Sequence, residues 1–242
     1  MYVKCAGSFD EMTDLPKKLR DKLKQEIIFS HLTPQIDLSS KDGYTRKILF
    51  DLHDKSQIET VLMGYEKRHT VCISTQAGCG LGCTFCATGQ AGLQRNITAG
   101  EIIEQVLFFE RILHSTHSTY STHSLTNLVY MGMGEPFANY KEVMKSIDIL
   151  TSSTGFNFGA RRITISTVGL VPMINKFTEE ERQINLAISL HAATNELRNT
   201  MLPINKKYPL EILIPACKNY TETTHRRISF EWALIDGVND TP

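Results

Sequence analysis

The sequence predicts an α/β fold, a partial (βα) barrel preceded by a small α+β remnant of an accessory region. Three observations carry that expectation. Strand-like apolar runs recur at 70–75, 125–131, 162–168, 184–190 and 227–235. Helical patterns fill the intervals near 98–113, 140–153, 170–181 and 208–220, the alternation of βαβ units in a parallel sheet. The 242 residues, 41% of them hydrophobic, suffice for one substantial core.

In chain order, residues 10–30 place Leu15, Leu19, Leu23, Ile27 and Ile28 near a 3.6-residue spacing, which predicts an amphipathic helix after Asp14-Leu15-Pro16. Runs at 46–52 and 58–63, flanked by turn residues, predict a small strand pair. These elements make up an accessory segment, 1–64, and the core follows over 65–242. Right-handed crossovers then gather the C-terminal ends of the parallel strands on one face, where barrel folds carry their chemistry. The polar stretch 114–124 (HSTHSTYSTHS) reads as a solvated loop, although its three histidines leave a metal reading open.

Lys plus Arg and Asp plus Glu number 26 each, so the net charge is zero and the strongly basic balance of many nucleic-acid binders is missing. No apolar run has the length of a bilayer span, and the N-terminus lacks a long apolar h-region, so a cytoplasmic protein without a membrane partner is expected. Six clustered cysteines in such a chain point to metal or redox chemistry rather than a disulfide framework.

Cys79-Gly-Leu-Gly-Cys83-Thr-Phe-Cys86 is the centre of the functional reading. Thiolates hold iron–sulfur clusters, and a glycine-rich stretch lets the backbone wrap one. Three cysteines leave one iron of a 4Fe–4S cluster open, and it can take the amino and carboxylate groups of S-adenosylmethionine. The competing account is a structural zinc knot, which normally needs a fourth ligand and a second cysteine pair.

The run 131–136 (MGMGEP) ends the second strand, where Gly134 and Glu135 offer backbone groups and a carboxylate to a ligand; a plain strand-to-helix turn is the alternative. Ser166, Ser189, Leu190 and His191 close the next two strands. Helix capping would account for either serine, and a hydrogen-bonded place at the core rim for His191. Cys72 lies seven residues before Cys79 and is either a small hydrophobe or a redox group. The basic pairs Arg161-Arg162, Lys206-Lys207 and Arg226-Arg227 suit phosphates or solvent.

Taken together, these motifs resemble the RlmN/Cfr family of radical-SAM RNA methyltransferases, its RlmN branch most closely. The matching stretches are 14–20 (DLPKKLR), 58–63 (IETVLM), 70–89 (TVCISTQAGCGLGCTFCATG), 95–106 (RNITAGEIIEQV), 130–136 (YMGMGEP), 161–167 (RRITIST), 187–192 (AISLHA), 202–211 (LPINKKYPLE) and 234–240 (LIDGVND). The resemblance implies a barrel of the radical-SAM type and methylation of adenosine C2 in 23S rRNA, extending in some members to the tRNA anticodon loop. It implies two molecules of S-adenosylmethionine per turnover, an electron donor such as flavodoxin or ferredoxin, and a monomer.

One cofactor molecule would methylate a cysteine near the C-terminus. The other would be cleaved to a 5′-deoxyadenosyl radical that activates that methyl group, leading to an enzyme–RNA adduct. A second cysteine would resolve the adduct, forming a disulfide bond. Matched by position, Cys79, Cys83 and Cys86 correspond to the cluster ligands. Gly134, Glu135, Ser166, Ser189, Leu190 and His191 correspond to the cofactor contacts. Cys72 corresponds to the resolving cysteine and Glu59 to the proton acceptor. Against the family pattern the sequence reads as cut short at both ends, without the methyl-carrying cysteine, so these residues alone are expected to bind a cluster but not to complete methylation. The rival readings are adenine C8 methylation of the Cfr type and a non-catalytic iron–sulfur or zinc RNA-binding module.

Overall fold

A computed structural model describes residues 5–115 and 124–240. Most of the stretch expected as a solvated loop, 116–123, lies outside the described residues. Helix α1 (Lys17–Glu26) follows Pro16 and is shorter than the spacing predicts. Ile27 turns extended, and Ile27 and Ile28 are exposed. No residue of α1 is buried, so no packing holds a longer helix together.

Strands β1 (Thr33–Ser39), β2 (Thr45–Asp51), β3 (Gln57–Tyr65) and β4 (Arg68–Cys72) form an antiparallel run. A hairpin follows, β5 (Gln76–Gly78) with β6 (Leu93–Asn96), and it encloses the short helix α2 (Ala87–Gln90). Next come α3 (Ala99–Ser115), β7 (Asn127–Tyr130), α4 (Tyr140–Thr151), β8 (Ile163–Thr167), α5 (Val171–Glu179) and β9 (Asn185–Ser189). Helices α6 (Asn195–Met201) and α7 (Leu210–Thr224) then lead to β10 (Ile228–Glu231).

Eight strands make one sheet in the order β1-β2-β3-β4-β7-β8-β9-β10, with β4, β7, β8, β9 and β10 mutually parallel. The partial (βα) barrel expected from the alternation is therefore present. β3 pairs directly with β4, so the sheet runs unbroken from the accessory segment into the core.

Strand alternation divides the sheet into two faces. Val71, Ile73, Leu128, Ile163, Ile165, Leu186 and Ile188 pack against α3, α4, α5 and α7 in one apolar core. The intervening residues, among them Glu59, Cys72, Ser166, Ser189 and Glu231, occupy the inner face. Helix α3 begins with a reciprocal cap: Thr98 N donates to the Glu101 carboxylate at 2.8 Å, and Glu101 N donates to Thr98 Oγ1 at 3.2 Å. From α3 the buried Gln105 reaches the sheet. Its amide oxygen accepts from Ser74 N and Thr60 Oγ1, and its amide nitrogen donates to Ser74 O. That network fixes the chain where it leaves β4 for the cysteine loop.

Candidate active site

The C-terminal ends of the parallel strands surround a cavity of about 420 Å³. Cys79, Cys83 and Cys86 line one side, and Gly134, Glu135, Ser166, Ser189 and His191 line the other. Sequence reasoning thus named residues from four separate segments that the fold brings together. Leu190 differs: its side chain packs on the core, and it meets the site only through its backbone.

The cysteine loop is anchored at both ends. Cys79 N donates to Gly92 O at 3.0 Å, and Gln90 N donates to Cys86 O at 3.0 Å. Burial pushes the Cys83 thiol up to about 12, and the neighbouring Cys79 and Cys86 add to it. Cys79 is raised as well, first by burial. Thiols in this state give up protons only to a strong cationic partner, as metal binding requires. Among the described residues no three His, Cys, Asp or Glu side chains converge on a single ion. A cubane cluster instead gives each thiolate its own iron, which suits three sulfurs spread around one cavity. The donor set fits a 4Fe–4S cluster.

Opposite the cysteines, Gly134 has φ +97°, and a Cβ there would lie 2.5 Å from Gln76 Cβ. Only glycine permits that approach. It brings Glu135 N to Gln76 Oε1 at 2.8 Å. The Glu135 carboxylate accepts from Phe137 N at 3.0 Å and Val168 N at 2.9 Å. Burial pushes its pKa up to about 7, although these backbone donors favour the charged form. A buried carboxylate with so few compensating charges is suited to an ammonium group.

Neither Ser166 nor Ser189 caps a helix. Both hydroxyls donate to Glu231 Oε2, which also lines the cavity. The sequence reading missed Glu231; its signal was a carboxylate between Phe230 and Trp232 in an otherwise apolar run. His191 has a left-handed backbone, φ +58°. Its Nδ1 accepts from Ala233 N at 2.9 Å, and its ring meets Phe85 edge-on at 4.7 Å. The rim hydrogen bond expected as the plain account is present, and the ring faces the cavity too.

Cys72 and Glu59 lie outside the residues lining the cavity, on the same inner face. Cys72 is directly opposite Val61, and Glu59 is two residues along the partner strand. Burial pushes the Cys72 thiol up to about 11. Glu59 pairs with Lys47 at 2.9 Å, both half-exposed. All six cysteines are free thiols, so the structure contains no disulfide bond. Among the described residues no helix is long and apolar enough to cross a membrane.

The Radical SAM superfamily profile matches residues 73–242. A probable dual-specificity RNA methyltransferase RlmN of Chloroflexus aurantiacus is 49% identical over 242 residues, covering 100% of this chain and 64% of its own length. The probable RlmN of Moorella thermoacetica is 46% identical, with 99% of this chain and 68% of its own covered. The dual-specificity RNA methyltransferase RlmN 1 of Myxococcus xanthus is 47% identical, with 100% and 66% covered. A crystal structure of a radical SAM methyltransferase from Sphaerobacter thermophilus superposes with a TM-score of 0.94 at 49% identity, covering 99% of this chain and 69% of that one. The chain thus spans about two thirds of the length of these relatives.

Proposed function

Because the chain belongs to the radical SAM superfamily and, within it, to the RlmN family, we propose that it forms the catalytic body of an RNA methyltransferase acting on adenosine C2 in 23S rRNA and in tRNA. The observation that carries this reading is the single cavity with three cysteines on one wall and the Gly134, Glu135, Ser166, Ser189 and His191 surface on the other. When bound, a 4Fe–4S cluster with S-adenosylmethionine supplies a carbon radical, the chemistry an unactivated aromatic C–H demands.

The protein's own groups hold and orient. Cys79, Cys83 and Cys86 would hold the cluster as thiolates. The Gly134 turn and Glu135 would receive the N–H groups of the cofactor's amino group, donors that favour ionised Glu135. Ser166 and Ser189, held by Glu231, and the ring and backbone around His191 and Leu190 shape the remainder. Cys72 stays a neutral thiol until the adduct needs a nucleophile. Glu59 takes the C2 proton, and Lys47 sets the place of its carboxylate.

Two cofactor molecules would serve each turnover, with a small one-electron carrier such as flavodoxin or ferredoxin as the source of the electron. The protein works as a cytoplasmic monomer. Cys5 and Cys217 lie away from the cavity, Cys217 buried in α7. Neither Cys5 nor Cys217 is therefore assigned the methyl-carrying role.

The test is anaerobic reconstitution, then incubation with S-adenosylmethionine, dithionite and unmodified 23S rRNA or tRNA, using a polypeptide that includes the methyl-carrying cysteine of the family. 2-Methyladenosine in the RNA digest is the expected result, and Cys72→Ala should trap protein joined to RNA. 8-Methyladenosine would replace the C2 assignment. Bound metal without 5′-deoxyadenosine would reduce the protein to a binding module.

A further inference from the structure

Among the described residues Arg198 is the largest fully buried side chain, at 0% exposure, and none of the motifs in the site accounts for it. It projects from α6, whose first turn is capped by Thr194. Its guanidinium is spent on neutral oxygens. Nε donates to Leu190 O at 3.1 Å. Nη1 donates to Asn205 Oδ1 at 2.7 Å. Nη2 donates to Val168 O at 2.7 Å and Ser189 O at 3.2 Å. Among the described residues no carboxylate pairs with it, although a buried cation without a counter-charge is costly.

Val168 and Ser189, whose carbonyls Arg198 holds, line the same cavity as Cys79, Cys83 and Cys86, so the guanidinium lies just behind the wall that faces the cysteines. Cys83 packs against Met201 and Leu202, at the far end of the same helix. There Thr84 N donates to Met201 O at 3.0 Å, which fastens the cysteine loop to α6. A single short helix therefore grips the loop at one end and the ends of β8 and β9 through Arg198.

We propose that Arg198 is a positioning residue that ties the cysteine loop to the cofactor-facing ends of β8 and β9, and that the cluster's thiolates are its counter-charge. The proposal rests on the reading of Cys79, Cys83 and Cys86 as cluster ligands. Two consequences separate its parts. The fixed positive charge favours the cluster after it gains an electron, because reduction adds negative charge beside a buried cation. The bonds to Val168, Ser189 and Leu190 carbonyls hold Ser166, Ser189 and His191 in place for the cofactor.

The test uses the reconstituted protein, with the cluster midpoint potential read by EPR-monitored redox titration and S-adenosylmethionine affinity read by equilibrium dialysis. Arg198→Met and Arg198→Gln, both neutral, should shift the potential to more negative values and raise the cofactor Kd about tenfold or more. Arg198→Lys keeps the charge but cannot span four oxygens, so its potential should stay near wild type while its Kd rises by a similar factor. An unchanged potential in a folded neutral variant overturns the counter-charge. An unchanged Kd in Arg198→Lys overturns the tie. If both neutral variants fail to fold, the Kd of Arg198→Lys decides the proposal. A wild-type protein that takes up no iron and sulfide would instead remove the cluster reading beneath it.

Discussion

Replacing Gly134 with alanine tests how the cavity wall is built. The new Cβ would meet Gln76 Cβ at 2.5 Å and its Cγ and backbone N at 2.8 Å each. Two costs add. Holding an alanine at positive φ costs about 1–2 kcal/mol. Forcing a methyl into packed surroundings costs about 1–3 kcal/mol, and the upper part of that range applies because Gln76 cannot step aside. Its backbone N bonds Met133 O at 3.2 Å, and its side chain holds both Asn96 and Glu135 N.

The sum is about 3–5 kcal/mol. Gly43→Ala is the matched control, since Gly43 has φ +76° and nothing within 4 Å of its Cβ position. It should lose only the backbone part, about 1–2 kcal/mol. Urea unfolding of both variants, compared at equal m-values, measures the difference. Gly134→Ala should also lose S-adenosylmethionine binding, because Glu135 moves with it. A Gly134→Ala protein no less stable than Gly43→Ala would refute the packing argument.

Three further outcomes are expected. Alanine at Cys79, Cys83 or Cys86 should prevent stable uptake of about four irons and four sulfides, measured by iron and sulfide assay; full loading in any of the three variants would remove that ligand. Arg95→Met should cost about 3 kcal/mol, because it strips the buried Glu101 of its bonds at 2.7 and 3.0 Å. Burial opposes the Glu101 charge, but Arg95 and Thr98 outweigh it and hold the carboxyl below its ordinary value. The resulting stability is present above the ordinary carboxylate range and fades as pH falls below it, so Arg95→Met should flatten the acid limb of the stability curve. Glu59→Gln should change stability by less than about 1 kcal/mol, since its ion pair with Lys47 is half-exposed, yet accumulate RNA adduct; normal product release would speak against its role as base.

The parts of the molecule with strong local signals were legible in the sequence. Alternating apolar runs located the five parallel strands, and the cysteine spacing with the glycine run located both walls of the cavity. Other parts depended on tertiary surroundings. Strand β1 is exposed along its whole length and carries Pro34 beside a bulge, so no apolar alternation betrays it. Its pairing with β2 makes it a strand. Helix α6 is seven residues long, too short for a periodic signal, and its most important side chain is an arginine that composition assigns to solvent. Glu231 was passed over altogether. A charge inside the barrel is seen only when Ser166 and Ser189 arrive from two other strands to meet it.

The hydrogen bond from Ala233 N to His191 Nδ1 has a chemical consequence. An imidazole nitrogen that accepts cannot carry a proton, so the neutral ring is restricted to the Nε2–H tautomer. Protonating Nδ1 would break this bond and place a cation where burial already lowers the histidine's basicity, although Glu231 works in the opposite sense. The cavity wall therefore presents one fixed N–H donor through neutral pH, and a ligand must meet it with a lone pair. The two ring nitrogens should give well-separated ¹⁵N shifts, the signature of a single tautomer rather than an exchanging average.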